Sequence, residues 1–398
     1  MSESPPEPAP HPPSRPAPPA PPGADAGREL PRPSAAARPG RALLGYAAVR
    51  LVGLAVFAVW AAVAGKDGFH LLKGRWDAVW YVRIAEHGYG YEIRLPHGDL
   101  HSDLAFFPLL PALERGLAAV SPLDAATAGM VLAWLASLAA AWGIYAVGTH
   151  VAGRRAGIAL AALWGVYPTA FVQQMGYTES LFTALAAWSL YALLRDRWIV
   201  AGLLCVLAGL TRPSAAALIA AIGVTAIVRT ARGRLTWRVV AGTLLAPLGW
   251  LGYVVFVAVR QGSPTAYFEV QAGWGNSIDG GVALARFVWH NLTGGNPLAG
   301  VGLVAALALL AWVVLLCVRR RQPVPVLVFT VATVVVSLVG AAYFGSRPRL
   351  IMPAFPLLLP AAQALVRLRA RARYGLLAAL ALASGVYGAF TLLGPGPP

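Results

Sequence analysis

The sequence predicts an all-α polytopic membrane protein with about eleven transmembrane helices. Hydrophobic residues make up 58% of the chain and charged residues only 12%, which is about half of the roughly 25% that a soluble domain carries. Several apolar runs approach the roughly 20 residues that a helix needs to cross a bilayer. These runs are continuous and do not alternate with polar residues, as transmembrane β-strands would.

Eleven apolar segments are predicted to cross the membrane. They cover residues 46–64, 127–148, 156–174, 180–194, 199–210, 214–228, 239–259, 299–318, 324–344, 350–366 and 374–393. A twelfth apolar segment, 104–120, contains two prolines and an adjacent Glu114 and Arg115. If it crossed the membrane it would invert every later loop, so we expect a helix that lies in the outer interface.

The distribution of arginine predicts which side each loop faces. With a cytoplasmic N-terminus, the connections on the inner side hold fifteen arginines and one acid, Asp196, whereas the outer side holds eleven basic and eleven acidic residues. This is the asymmetry of the positive-inside rule. It explains the net charge of +16 without a nucleic-acid partner, and it predicts a multi-pass protein of the cell membrane.

The chain divides into a tail and one membrane domain. Residues 1–40 are rich in proline, alanine and arginine, a composition that cannot bury a core, so we expect a disordered cytoplasmic tail. Residues 41–394 form the predicted transmembrane domain. Its two long outer loops, 65–126 and 260–298, exceed the usual length of helix connections, and long loops commonly carry function.

Asp77 is the first candidate for a catalytic residue. It follows Trp76 at the outer end of the first span, and Trp80 and Tyr81 come directly after it. A carboxylate in this place can accept a proton from an attacking hydroxyl group, and the rings can hold the face of a sugar. The alternative is an interfacial aromatic belt with an ordinary helix-capping aspartate.

Glu179 and three arginines are further candidates on the same outer side. Glu179 begins a span, and Arg212 precedes the helix-breaking Pro213. Charged groups at such places are costly unless they are paired or functional, so Arg212 either pairs with Glu179 or binds an anionic headgroup. Arg347 and Arg349 open the tenth span, where guanidinium groups are suited to phosphate oxygens.

The long loops supply additional candidates for substrate binding, namely His101, Gln271 and Trp274. His97, Asp99, His101 and Asp103 offer ligands for a divalent metal, but the H-x-x-x-H spacing is diagnostic only on a helix. No metal is therefore predicted. The sequence also has no P-loop and no glycine-rich dinucleotide fingerprint.

Four stretches in order resemble the PIG-V-like mannosyltransferases of the GT-C class. They are "RWDAVWYVRIAEHGY", "AFFPLLPALER", the "GYTESLF…AGLTRPSAAAL" block and "GSRPRLIMPAFPLLL", spread over residues 75–360. Leu350 stands where the family pattern has an aromatic residue. The resemblance implies a GT-C fold and transfer of a mannosyl unit from a polyprenyl-phosphate sugar on the outer face.

The resemblance also implies that Asp77 is the catalytic carboxylate. We expect it to act as a general base without a cofactor, because arginine can supply the positive charge that an anionic leaving group needs. A glycolipid or glycan would be the acceptor, and Arg212 and Arg349 are our own candidates for the donor phosphate. Two alternatives remain open. Broken helices with charged residues are typical of transporters and lipid flippases as well, and a related GT-C enzyme can use another sugar.

Overall fold

Apolar runs become helices throughout the chain, because a helix satisfies every backbone polar group without help from water. The computed structural model describes residues 38–96, 98–294, 296–341, 343–394 and 396. The predicted tail, apart from its last three residues, lies outside this range, and so does His97 of the candidate metal ligands. The described residues form eighteen α-helices, one two-stranded antiparallel sheet and several short 3₁₀ turns.

The helices are numbered in chain order as α1 Gly40–Val63, α2 Gly68–Lys73, α3 Asp77–His87, α4 Leu109–Ala119, α5 Ala125–Ala152, α6 Arg154–Gly165, α7 Thr178–Leu194, α8 Trp198–Gly209, α9 Ala215–Ala231, α10 Trp237–Leu245, α11 Leu248–Gln261, α12 Ala266–Gly273, α13 Val282–Thr293, α14 Pro297–Arg319, α15 Val324–Val339, α16 Arg347–Ile351, α17 Leu359–Arg367 and α18 Ala370–Leu393. The two strands are β1 Glu92–Arg94 and β2 Leu100–Ser102.

Every predicted span coincides with one or more of these helices. Five helical segments are long and apolar enough to cross a membrane, namely α1, α5, α14, α18 and the pair α10–α11. Others are shorter apolar helices, such as α8, α9 and α15. The chain is therefore an all-α, multi-pass membrane protein, although several of its predicted spans are shorter than a straight crossing requires.

Proline explains where two predicted spans are bent. The tenth predicted span is broken by 77° between residues 344–351 and 355–367, with Pro353 in the break. Pro168 follows α6 and separates it from the 3₁₀ turn Ala170–Gln174, so the third predicted span is also divided. Proline cannot donate the intrahelical hydrogen bond and clashes with the preceding turn.

The first outer loop is more ordered than the sequence suggests. It contains α2, α3, α4 and a hairpin in which Ile93 of β1 pairs with His101 of β2. No pattern in the sequence predicts this hairpin. The apolar segment 104–120 begins with a 3₁₀ turn, and its helix α4 has only eleven residues, too few to cross a bilayer.

Glycine allows the helices to approach closely, as is common in membrane bundles. A Cβ atom on Gly249 of α11 would lie 1.9 Å from the carbonyl oxygen of Val206 on α8. A Cβ on Gly242 of α10 would lie 2.4 Å from that of Trp198. These contacts place α10 and α11 directly against α8.

Arg50 differs from its expected position. From its place in the first span, the sequence predicts a side chain that reaches toward the inner surface. In the structure Arg50 is buried, and it donates hydrogen bonds to the carbonyl oxygen of Gly165, at 3.1 Å, and to Oε1 of Gln174. A buried guanidinium needs such partners, because lipid offers none.

Candidate active site

The "RWD" stretch turns sharply before α3 begins. Trp76 has φ 53° and ψ −120°, an unfavourable conformation for a bulky residue that costs on the order of 1–3 kcal/mol. The guanidinium of Arg75 lies 4.2 Å from the centre of the Trp76 ring. Arg75 also donates hydrogen bonds to the carbonyl oxygens of Leu392 and Gly394. The last helix therefore supports the turn that places Asp77 at the start of α3.

Asp77 is part of a cluster of four charged residues, hereafter the ion-pair cluster, made of Asp77, Glu179, Arg212 and Arg349. Nη1 of Arg349 donates a hydrogen bond to Oδ2 of Asp77 at 2.7 Å. Nε of the same arginine lies 3.4 Å from Oε1 of Glu179, and Nη1 of Arg212 lies 2.9 Å from that oxygen. The two carboxylates and the two guanidiniums thus alternate.

Four separate parts of the chain supply the ion-pair cluster. Asp77 begins α3, Glu179 lies in the first turn of α7, and Arg349 lies in α16. Arg212 occupies the break between α8 and α9, where Leu210 accepts a hydrogen bond from the backbone of Leu109 at the start of α4. Both acids lie in first helical turns, where the helix dipole favours negative charge.

Exposure changes along the ion-pair cluster. The side chain of Asp77 is 30% exposed, that of Arg349 12%, and that of Glu179 3%. Nε of Arg212 is buried and has no hydrogen-bond partner among the described residues. Nε of Arg349 is buried as well, and its contact with Glu179 at 3.4 Å is an ion pair without a hydrogen bond. The cluster therefore has one accessible carboxylate, Asp77, and guanidinium groups with unused hydrogen-bonding capacity.

Tyrosine residues surround Asp77 and Arg349. The backbone N–H of Asp77 donates to the hydroxyl of Tyr177 at 3.1 Å, and the Tyr177 ring centre lies 5.2 Å from the guanidinium of Arg349. The Tyr81 hydroxyl lies 3.3 Å from Oγ1 of Thr178. Sequence reasoning did not select Tyr177, although it stands only two residues before Glu179 in the same turn.

Three predicted substrate-binding residues form one aromatic group together with Phe106. Trp80 stacks on Phe106 with ring centres 5.5 Å apart, and Trp274 stacks on His101 at 4.0 Å. Trp80 and Trp274 meet edge to face at 4.9 Å. Offset and edge-to-face rings attract each other, so this group joins the two long outer loops.

Hydrogen bonds reinforce the contact between these two loops. Nε1 of Trp274 donates to the carbonyl oxygen of Ser102 at 2.9 Å, and Nε2 of Gln271 donates to that of Ala105 at 3.1 Å. Gln271 and Tyr81 are buried. The side chains of Gln271 and Trp274 hold the loops together, and substrate binding by them and by Tyr81 stays a prediction.

Arg347 has a different environment from Arg349. Its guanidinium donates to the carbonyl oxygens of Ser337, Leu338 and Gly340 at 2.8–2.9 Å. These carbonyls belong to the C-terminal end of α15, where a cation offsets the helix dipole. The contacts describe a capping residue, and phosphate binding by Arg347 stays a prediction.

Asp99, His101 and Asp103, the candidate metal ligands that the structure describes, do not form a metal site. Asp103 is buried and accepts hydrogen bonds from the backbone N–H groups of Gly90 and Tyr91, and its burial raises the pKa of its carboxyl group. Within the described ranges, no three His, Cys, Asp or Glu side chains are placed to hold a metal ion. Asp103 thus supports the hairpin, and a metal-free site stays a prediction.

Helical architecture and an ion-pair cluster define the chain as a polytopic membrane protein with a charged site at the ends of several helices. The chain is similar to ArnT from Cupriavidus metallidurans bound to undecaprenyl phosphate, with a TM-score of 0.52 and 15% identity over 86% of this chain and 62% of that one. The apo state of ArnT gives a TM-score of 0.49 and 16% identity, over 82% of this chain and 61% of that chain.

ArnT is a glycosyltransferase of the GT-C class, so the chain has the GT-C fold that the sequence predicted. At this identity the likeness extends to the fold alone, and the chain spans 62% of the length of the ArnT structure. No family model and no curated protein matches the chain. Membership of the PIG-V-like family therefore stays a prediction.

Proposed function

We propose that the chain is an integral membrane glycosyltransferase that moves a mannosyl unit from a polyprenyl-phosphate sugar to a lipid- or protein-linked acceptor on the extracytoplasmic face. The observation that carries the proposal is the contact of 2.7 Å between the partly exposed carboxylate of Asp77 and Arg349. The GT-C fold supports it, and so does the undecaprenyl phosphate bound in ArnT, because that lipid is a polyprenyl phosphate.

In the proposed reaction, an acceptor hydroxyl oxygen attacks the anomeric carbon of the donor sugar. The bond from that carbon to the phosphate oxygen breaks, and its electron pair stays on the phosphate. Asp77 receives the hydroxyl proton as general base. The donor is a phosphodiester with one negative charge, and the leaving polyprenyl phosphate gains a second one.

Arg349 and Arg212 are suited to stabilise this developing charge. Preorganised cations and hydrogen-bond donors aimed at a leaving group are commonly the largest contribution to catalysis. Nε of Arg212, which has no hydrogen-bond partner among the described residues, offers a donor for a phosphate oxygen. Two guanidiniums supply the positive charge in this proposal, so it requires no metal ion.

Arg349 links the two parts of the proposed chemistry. It donates a hydrogen bond to Asp77 through Nη1 and faces Glu179 through Nε. A donor phosphate in the site competes for the same guanidinium, and Asp77 then becomes available to the acceptor hydroxyl. We expect Glu179 to keep both arginines in place while this exchange occurs.

The decisive experiment measures transfer from labelled polyprenyl-phosphate mannose by membranes that contain the Asp77→Asn variant. We expect the rate of transfer to fall by about 10²–10⁴-fold, which is the usual contribution of a general base. Asp99→Asn is the matched control, because Asp99 lies exposed in the same loop. Transfer at the wild-type rate by folded Asp77→Asn protein would exclude Asp77 from the reaction.

The donor and the class of protein are tested in the same assay. Competition with unlabelled polyprenyl-phosphate glucose or arabinofuranose establishes which sugar the site prefers, and preference for either of these would refute the mannosyl assignment. Proteoliposomes that translocate the labelled lipid without forming a transfer product would instead identify a flippase.

The proposed orientation is tested by cysteine labelling of intact cells with a membrane-impermeant maleimide. The native Cys205 and Cys317 are buried and give a low background. We expect Asp99→Cys to react in intact cells and Arg232→Cys only after permeabilisation, because both side chains are exposed and the predicted topology puts them on opposite sides. The reverse pattern would place the site on the cytoplasmic face.

A further inference from the structure

A second charged site lies far from the ion-pair cluster. Arg154, Arg155, Arg320, Arg367 and Gln363 line a cavity of about 700 Å³. The cavity is bounded by the start of α6, the residue after α14 and the C-terminal part of α17. Ala152, the last residue of α5, lines it as well.

The helix α5 shows how far apart the two sites are. It has 28 residues and is therefore about 42 Å long. At its first end, Asp124 pairs with Lys73, which lies four residues before Asp77. The arginine cavity adjoins its other end. The predicted topology assigns this other end to the cytoplasmic face.

Positive charge in the cavity is not neutralised within the described part of the protein. All four arginines are exposed, and none of them forms an ion pair with a described carboxylate. Arg320 donates to Oε1 of Gln363, which is uncharged. Like charges that share a cavity repel one another, so a bound anion would stabilise the arrangement.

The start of α6 adds to the same electrostatic preference. Arg154 is its first residue, and the capping residue Gly153 has no side chain to accept hydrogen bonds from the first turn. The N-terminal N–H groups of a helix and its dipole favour an anion. The four guanidiniums and the start of α6 therefore favour the same kind of ligand, an anion.

We propose that the cavity binds the phosphodiester headgroup of an anionic membrane lipid. Guanidinium forks match phosphate oxygens, and basic pockets between the cytoplasmic ends of helices are suited to anionic headgroups. A lipid is favoured over a free phosphate because α5 and α14 are long and apolar enough to span the bilayer. Their ends, which meet at the cavity, then lie at the level of the headgroups. Val366 and Ala156 give the cavity wall an apolar part.

Lipid titration of the purified full-length protein tests this proposal. Phosphatidylglycerol or phosphatidylcholine is added in detergent, and binding is followed by the rise in the thermal unfolding midpoint and by native mass spectrometry. We expect wild-type protein to prefer phosphatidylglycerol. The double variant Arg155→Gln, Arg320→Gln should bind it about 100-fold more weakly, because one charge-assisted hydrogen bond to phosphate contributes about tenfold.

The matched control is the double variant Arg232→Gln, Arg234→Gln, which removes the same charge from exposed positions after α9. We expect this control to retain the preference. The charge-conserving variant Arg155→Lys, Arg320→Lys should restore most of the binding, which separates a lost ligand from a misfolded protein.

Two results would overturn the proposal. An equal loss in the cavity variant and in the control would show that the preference arises from general surface charge. A stabilisation by inorganic phosphate that equals the one by phosphatidylglycerol, and that the cavity variant abolishes, would show that the ligand is a soluble anion and not a lipid.

Discussion

Nη1 of Arg349 lies 2.7 Å from Oδ2 of Asp77, across 272 positions of sequence. The same guanidinium also faces Glu179, so α16 connects the start of α3 with the start of α7. Arg349 is thus the only member of the ion-pair cluster, in the part of the chain that the structure describes, that contacts both carboxylates.

Arg349→Gln is expected to reduce glycosyl transfer by on the order of 10²–10³-fold, the loss that follows removal of one preorganised electrostatic donor. Arg349→Lys should recover only part of the activity, because an ammonium group cannot contact Asp77 and a phosphate as a planar fork does. Both are measured as kcat with labelled donor. The control Arg286→Gln removes an exposed arginine in α13, and equal losses in Arg286→Gln and Arg349→Gln would contradict a specific role.

Glu179→Gln is expected to destabilise the protein. The Glu179 side chain is 3% exposed and lies between two arginines, and removing one partner of a buried ion pair costs about 3–5 kcal/mol in the free energy of unfolding. The double variant Glu179→Gln, Arg212→Gln should be less destabilised than the sum of the single variants. Unfolding of the four proteins in detergent measures this coupling, and strictly additive values would show that the pair does not interact.

The contribution of Asp124 to the stability of the protein should depend on pH. Its Oδ1 accepts a hydrogen bond from the backbone of Thr127 at the start of α5, and Lys73 binds its Oδ2 at 2.9 Å. Hydrogen bonds from Thr127 and Lys73 lower the pKa of Asp124 from 3.8 to about 2. The contacts of the ionised Asp124 therefore stabilise the folded protein fully above the ordinary pKa of an aspartate, 3.8. This stabilisation is lost as the pH falls through the folded-state pKa of about 2.

Asp124→Ala should consequently lower the free energy of unfolding by about 1 kcal/mol at neutral pH, and the difference from wild type should shrink below pH 4. Asp124→Asn keeps a capping side chain but has no charge, so its capping contribution should not change with pH. Chemical unfolding between pH 7 and pH 3 measures both. A difference between wild type and Asp124→Ala that stays constant over this range would refute the assignment.

Two glycines of α11 give a matched pair of variants. Gly249→Ala should be strongly destabilising, because its Cβ would lie 1.9 Å from the backbone oxygen of Val206 and only a shift of α8 can relieve the clash. At Gly252 a Cβ has no neighbour within 4 Å, so Gly252→Ala should stabilise the helix by up to about 1 kcal/mol. Thermal unfolding compares the two, and similar effects would contradict the packing of α11 on α8.

Much of the fold can be predicted from the sequence, because a bilayer requires apolar spans and favours arginine in the cytoplasmic loops. Asp77, Glu179, Arg212 and Arg349 were each selected as charged residues at predicted membrane boundaries, and the structure brings these four together. The pairing of Arg212 with Glu179 is one of the two arrangements that the sequence offers, and the structure contains it. The contacts of Arg349 with both acids were not predictable, because they join parts of the chain that are far apart in sequence.

Other features were missed for identifiable reasons. Three-residue strands such as β1 and β2 are too short to show a repeating pattern. The positions of Arg50 and Arg347 depend on which carbonyl oxygens a neighbouring helix leaves free, and a single sequence does not reveal those. Tyr177 contributes its ring and its hydroxyl to the site. Because it carries no charge, the sequence does not distinguish it from other aromatic residues at a membrane boundary.

The hydrogen bonds from Arg75 to Leu392 and Gly394 join positions more than 300 residues apart. A ribosome that has produced α4 in the first outer loop must still produce α5 to α18 before α18 can support the turn at Trp76. Biosynthesis proceeds from the N-terminus. Membrane insertion of the early helices thus precedes maturation of the site, and translation products interrupted before α18 should reside in the bilayer without an ordered "RWD" turn.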